Sequence, residues 1–122
     1  MNNKKEIYFI YNAKGGKWNA FMDTIHKYAS PTTYSCNLCK ITHGITINQS
    51  WKNYLKNSSH NFYFLHLEDL FKYELEYFKD SLPICLEKIG QNFNIFIDNS
   101  TMNSFENQED LIAHLDKKLK SL

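Results

Sequence analysis

The chain has 122 residues and a mass of 14.5 kDa, with 43% hydrophobic, 16% aromatic and 22% charged residues, the size and composition of one globular domain spanning 1–122. Its 14 basic and 13 acidic residues leave a net charge of +1, too weak a field to gather a polyanion, so neither nucleic acid nor a membrane surface is an expected partner. Every basic residue is a lysine, which removes the guanidinium fork suited to bidentate recognition of phosphate, guanine or carboxylate.

The N-terminal stretch Met1-Asn2-Asn3-Lys4-Lys5-Glu6 is polar, and the apolar run after it is short and lacks a small-residue cleavage site, so it does not read as a secretory leader. No segment nears the roughly 18 consecutive apolar residues of a membrane span. The expectation is a cytoplasmic protein in which the 3 cysteines stay reduced and serve metal ligation, redox chemistry or packing.

The first predicted element is Glu6-Ile7-Tyr8-Phe9-Ile10-Tyr11, a β-branched and aromatic run that reads as a buried strand, ended by Asn12 and a turn at Gly15-Gly16. From Lys17 the apolar residues Trp18, Phe21, Met22, Ile25 and Ala29 recur at three- and four-residue spacing, which predicts an amphipathic helix stopped by Pro31. Residues 30–49 have no helical period and hold Cys36 and Cys39. Ser50 is suited to cap a short helix carrying Trp51, Tyr54 and Leu55, closed by the turn Asn57-Ser58-Ser59. A second buried strand follows at Asn61-Phe62-Tyr63-Phe64-Leu65-His66. Leu67, Leu70, Phe71, Leu75 and Phe78 then form a helical stripe running to Lys79, with Glu68 and Asp69 at its positive end. Leu82–Ile89 and Phe93–Asp98, joined through Gly90-Gln91-Asn92, predict an antiparallel hairpin. The last helix starts at its cap Asn107 and runs through Leu111, Ile112, Leu115 and Leu119, acidic early and basic late as its dipole favours.

Helices between the first two strands permit a parallel crossover, and the tight hairpin forces an antiparallel pair. The fold class expected is therefore α/β, a four-stranded mixed sheet with helices on both faces. This order of elements resembles the thioredoxin-like fold. In that family a proline, usually cis, opens the first hairpin strand beside the active site, and Leu82-Pro83-Ile84 stands in the matching place, which makes Pro83 a candidate cis proline. A second resemblance rests on Tyr11-Asn12-Ala13, His26-Lys27, Ser30-Pro31-Thr32-Thr33-Tyr34, Cys36-Asn37-Leu38-Cys39 and Phe64-Leu65-His66. These phrases are similar to those of a family of small, uncharacterised bacterial proteins, some of which carry a GTPase label. Gly15-Gly16-Lys17-Trp18 has neither the spacing nor the hydroxyl of a phosphate loop, so no nucleotide is expected.

Cys36 and Cys39, two residues apart, are able to place both sulfurs on one metal or to close a small disulfide ring, and both chemistries need a thiolate. With His43 four residues on, they supply three ligands of a tetrahedral site for a thiophilic metal, zinc first, leaving His66 or His26 as the fourth. The redox alternative makes Cys36 the attacking and Cys39 the resolving thiol toward a disulfide partner protein. In thioredoxin-like oxidoreductases, however, the pair sits directly after the first strand, where Asn12–Gly16 stands here. A third reading is an interaction module without chemistry. Cys85 reads as a small core residue, with a third metal thiolate as the alternative. His60 and His114 read as solvent-facing. Gly15-Gly16, flanked by Lys14 and Lys17, reads as a tight turn rather than as an anion site, and the aromatic residues as core.

Overall fold

The computed structural model describes residues 4–12 and 49–120. Within them lie four strands, β1 (Glu6–Ile10), β2 (Asn61–Leu65), β3 (Ile84–Ile89) and β4 (Asn92–Ile97), and three α-helices, α1 (Gln49–Asn57), α2 (Asn99–Ser104) and α3 (Gln108–Lys120). The predicted helix over 17–29 and its stop at Pro31, the turn at Gly15-Gly16, and Cys36, Cys39, His43 and His26 lie outside the described residues.

The strands form one sheet in the order β2-β1-β3-β4. β1 and β2 are parallel, whereas β3 runs antiparallel to both of its neighbours, β1 and β4. This is the mixed α/β sheet expected from the order of elements. The hairpin is closed by two residues, Gly90 and Gln91, with Ile89 opposite Asn92. Gly90 takes φ +64, the first central position of a type II′ turn, whose twist suits the flanking strands. The Leu82–Pro83 peptide bond is cis, as anticipated.

Alternation along the strands sends side chains to two cores. Ile7, Phe9, Tyr11, Cys85 and Ile97 form the floor of the first, roofed by Trp51 of α1, Met102 of α2, and Leu111, Leu115 and Leu119 of α3. The spacing of these last three residues is the helical period read from the sequence. Asn107 is the cap of α3, its side-chain oxygen accepting the Asp110 N–H at 2.9 Å. Helix α2 was not foreseen. Asp98 caps it through the Thr101 N–H at 2.8 Å, and the run Asp98-Asn99-Ser100-Thr101 is rich in residues that favour helix starts. Ser50 is not the cap of α1; it lies inside the first turn, and the Trp51 N–H donates instead to Gln108 Oε1 at 2.9 Å.

The second core lies on the opposite face, where Tyr8, Ile10, Leu65, Ile84 and Leu86 meet Leu70, Leu75, Phe78 and Leu82. Here the predicted continuous helix from Leu67 to Lys79 is corrected to two 3-10 turns, Leu67–Leu70 and Glu76–Phe78. Glu74 breaks the helix by adopting φ +58. The Leu75 N–H reaches back to Leu70 O at 2.8 Å and the Glu74 N–H to Phe71 O at 3.3 Å, the paired bonds of a Schellman motif with Glu74 in the left-handed place. Leu70, Leu75 and Phe78 still reach the core, but Phe71 is 73% exposed.

An exposed glutamate in that conformation carries the side-chain clash that glycine avoids. Glu74→Gly should therefore stabilise the protein by about 0.5–1 kcal/mol, the relief of the clash less the greater freedom of an unfolded glycine. A rise in the urea midpoint with unchanged slope is the expected reading; an unchanged midpoint would count against the motif.

Candidate functional site

Ile10, Leu65 and Ile84 stand side by side in the sheet, so β1 and β2 stop and β3 starts along one edge. Tyr11, His66 and Pro83 come next at that edge. The Tyr11 N–H donates to Leu65 O at 2.8 Å, continuing the parallel ladder by one bond, and its ring is fully buried. Asn99, the first residue of α2, donates from Nδ2 to Leu82 O at 2.9 Å and to Pro83 O at 3.4 Å, tying that helix to the start of β3. Carboxyl ends of parallel strands are where α/β folds most often build their sites.

Of Cys36, Cys39, His43, His26 and His66, His66 alone lies within the described residues. Its backbone is extended, at φ −122 and ψ −179, as the chain leaves β2 for the first 3-10 turn. The His66 N–H donates to Asp69 Oδ2 at 3.0 Å, and the Asp69 N–H returns to His66 O at 2.9 Å. The ring lies between two carboxylates: Nε2 is 3.6 Å from Asp69 Oδ2, and Nδ1 is 3.6 Å from Glu68 Oε1. At that separation the contacts are electrostatic rather than hydrogen bonds. Among the described residues, no group of three or more His, Cys, Asp and Glu side chains is disposed to hold a metal ion.

Cys85 sits opposite Phe9 and Ile97 in the first core and is fully buried. Burial pushes its thiol well above the ordinary value; Glu87 adds to the rise and Lys118 opposes it. Its complete burial among the apolar side chains of that core gives it the place of a small core residue.

His60 and His114 are corrected from their solvent-facing reading. His60 Nδ1 accepts the Lys5 N–H at 3.0 Å, pinning the start of β1 beside the start of β2, while Lys5 Nζ pairs with Glu87 at 2.9 Å. The surrounding sequence, Asn57-Ser58-Ser59, carries no sign of this role. His114 is half-buried, its ring 5.4 Å from that of Phe105. Both pKa values are lowered from 6.5, first by burial and then by lysines: Lys5 and Lys4 for His60, Lys118 and Lys117 for His114, where Asp98 opposes. His60, just before β2, lies at the opposite end of that strand from His66. A groove of about 700 Å³ between α1 and α3, lined by Tyr54, Ser58, His60, Asp116 and Lys120, is on the His60 side. Burial, with Asp116 nearby, pushes the Tyr54 hydroxyl up to about 12.

The lowered histidine values give the fold a pH dependence. Below pH 6.5 the unfolded chain binds protons that folded His60 and His114 refuse, so their contribution is fully present above 6.5 and is lost as pH falls through the lowered folded values. The urea midpoint should drop between about pH 7.5 and 5.5. His60→Asn, which keeps an acceptor for Lys5, should flatten part of that drop; a midpoint equal at both pH values would contradict the assignment. Asp98, lowered from 3.8 by its hydrogen bonds with Thr101, acts in a separate, more acid window.

Among the described residues no helix is long and apolar enough to cross a membrane. Comparison of the chain with family models, with curated proteins and with solved structures finds no match.

Proposed function

We propose that this chain is a small thioredoxin-like domain of the cytoplasm that binds a thiophilic metal ion, zinc first, through Cys36 and Cys39, with His43 and His66 completing a tetrahedral set. The observation that carries the reading is the Cys36-Asn37-Leu38-Cys39 spacing with His43 four residues on, soft thiolates and an imidazole within one short stretch. Two features support it. His66 stands at the sheet edge from which the chain leaves β1 after Asn12, and the half-buried Asp69 carboxylate lies 3.6 Å from one of its ring nitrogens, the kind of partner that commonly orients a ligating histidine through its other nitrogen. The fold-level likeness rests on the sheet order β2-β1-β3-β4 with β3 antiparallel to its neighbours, and on Pro83 just before β3.

Protein purified without chelator or a metal-affinity tag should carry one equivalent of zinc per chain by elemental analysis. The Cys36→Ser, Cys39→Ser double variant should carry none, because metal affinity depends on both thiolates. Protein that is metal-free, or zinc that survives the double substitution, defeats this reading.

A second reading, thiol-disulfide exchange with a partner protein, is favoured by the same sheet order and proline. In it Cys36 thiolate attacks the partner's disulfide and expels one partner thiolate. Cys39 then attacks the mixed disulfide, releasing the reduced dithiol and leaving a Cys36–Cys39 bond. It predicts metal-free protein with a reversibly oxidised pair, and a trapped mixed disulfide in Cys39→Ser. Neither zinc nor reversible oxidation leaves an interaction module.

A further inference from the structure

β4 forms one margin of the sheet, and no backbone hydrogen bond reaches its outer side from any described residue. Proteins usually guard such an edge with a charge or a proline, yet Asn92–Ile97 contains neither. Asn92 and Asn94 are exposed, and Ile95 is 56% exposed.

The hairpin register fixes which backbone groups turn outward. Ile89 and Asn92, the pair that closes the two-residue turn, bond across the hairpin, and alternation makes Glu87 and Asn94 the next bonded pair. Phe93 and Ile95 therefore turn their N–H and C=O groups away from β3. A second copy rotated about a two-fold axis through Asn94 matches these groups in full: Phe93 exchanges both bonds with the partner's Ile95, and Ile95 with the partner's Phe93. An axis through Phe93 or Ile95 instead pairs that residue with itself and leaves the other facing the turn or the bulge. The side chains agree with the axis at Asn94. Phe93 packs against the second core and Ile95 stands opposite Leu86 of that core, so both lie on one face, and each Ile95 gains the partner's Phe93 as an apolar cross-strand neighbour. On the other face the two uncharged Asn94 side chains meet at the axis. Glu87, in the same row, brings no bare charge toward the joint, because Lys5 Nζ neutralises it at 2.9 Å.

We infer that a second copy of this chain covers β4: two chains pair antiparallel through Phe93, Asn94 and Ile95 about a two-fold axis at Asn94, joining their sheets edge to edge. Such a joint uses the same patch on both chains and closes on itself. Pairing β4 with the opposite margin, β2, would leave a free edge at each end and build open chains of molecules. The inference stands apart from the metal reading above and does not depend on it.

Sedimentation velocity of the full chain at low ionic strength should show monomer giving way to dimer, with a dissociation constant of about 10–100 µM, in keeping with so narrow a joint. Asn94→Lys sets two ammonium groups against each other at the axis and should weaken association by about 10-fold or more; Asn94→Asp should do the same with two carboxylates. Because Asn94 is exposed, both variants should keep the circular dichroism and urea midpoint of the wild type. An equimolar mixture of the two variants should dimerise at least as tightly as wild type, since lysine then faces aspartate. Wild-type protein that stays monomeric well above the stated range would overturn the inference. So would association that both variants leave unchanged, a mixture that fails to recover the dimer, or assemblies that grow past the dimer with concentration.

Discussion

A Trp51→Ala variant should lose about 3–5 kcal/mol of stability, the usual cost of emptying a buried aromatic site. Trp51 is fully buried, its ring edge-on to Phe9 at 5.4 Å and near-parallel to Tyr54 at 6.3 Å. It is the only fully buried side chain by which α1 joins the first core, Tyr54 and Leu55 packing there only in part. Since domains of this size are stable by about 5–15 kcal/mol, the loss takes a large share of the total. Urea unfolding should show a large fall in midpoint, and Trp51→Phe should restore roughly half of it by keeping an aromatic surface against Phe9. A shift below about 1 kcal/mol for the alanine variant would mean that α1 is not seated on Phe9.

Gln108→Ala should cost about 1–3 kcal/mol, well beyond the loss expected from a trimmed surface side chain. The Trp51 N–H belongs to the first turn of α1, whose amides have no partner within the helix. Gln108, only 9% exposed, supplies that partner from the first turn of α3, 57 residues away. Alanine leaves the amide buried and unmatched, whereas a weak solvated bond would have left little to lose. In native-state hydrogen exchange the Trp51 amide should lose protection in Gln108→Ala while amides of β1 keep theirs. Retention of protection at Trp51 would show that another acceptor replaces the glutamine.

Much of this fold is legible because its signals are local. The aromatic and β-branched runs of β1 and β2, the glycine at the hairpin turn, and the cap Asn107 each act on their own few residues. The stretch after His66 misleads for a physical reason: helical spacing of Leu67, Leu70, Leu75 and Phe78 is equally met by two short turns that deliver Leu70, Leu75 and Phe78 to the same core. Nothing about a glutamate at 74 announces a left-handed residue. The capping of α1 by Gln108 and the acceptor role of His60 depend on partners more than fifty residues distant, beyond the reach of any local pattern. At the candidate site, the cysteine spacing is plain in the sequence but is met equally by metal ligation, thiol exchange or an incidental pair, and His66 is recognisable as a strand end. Its two carboxylates become meaningful only once the 3-10 turn folds them back.

The pairing of β3 with β4 slips by one residue: Leu86 faces Ile95, but its neighbour Cys85 faces Ile97, so Phe96 is an extra residue without an opposite number. The strand is thus counted in two pieces, one measured from the turn at Gly90 and the other from the helix cap at Asp98. A bulge of this kind absorbs a change in length. Removal of Phe96 would bring Ile95 and Ile97 into regular register with Leu86 and Cys85, whereas a residue removed between Asn92 and Ile95 would turn that part of the strand inside out. Position 96 is therefore where evolution or a protein engineer has room to shorten this hairpin. What is given up there is the packing of Phe96 on the first core and its contact with Lys118, whose Nζ lies 4.9 Å from the ring centre.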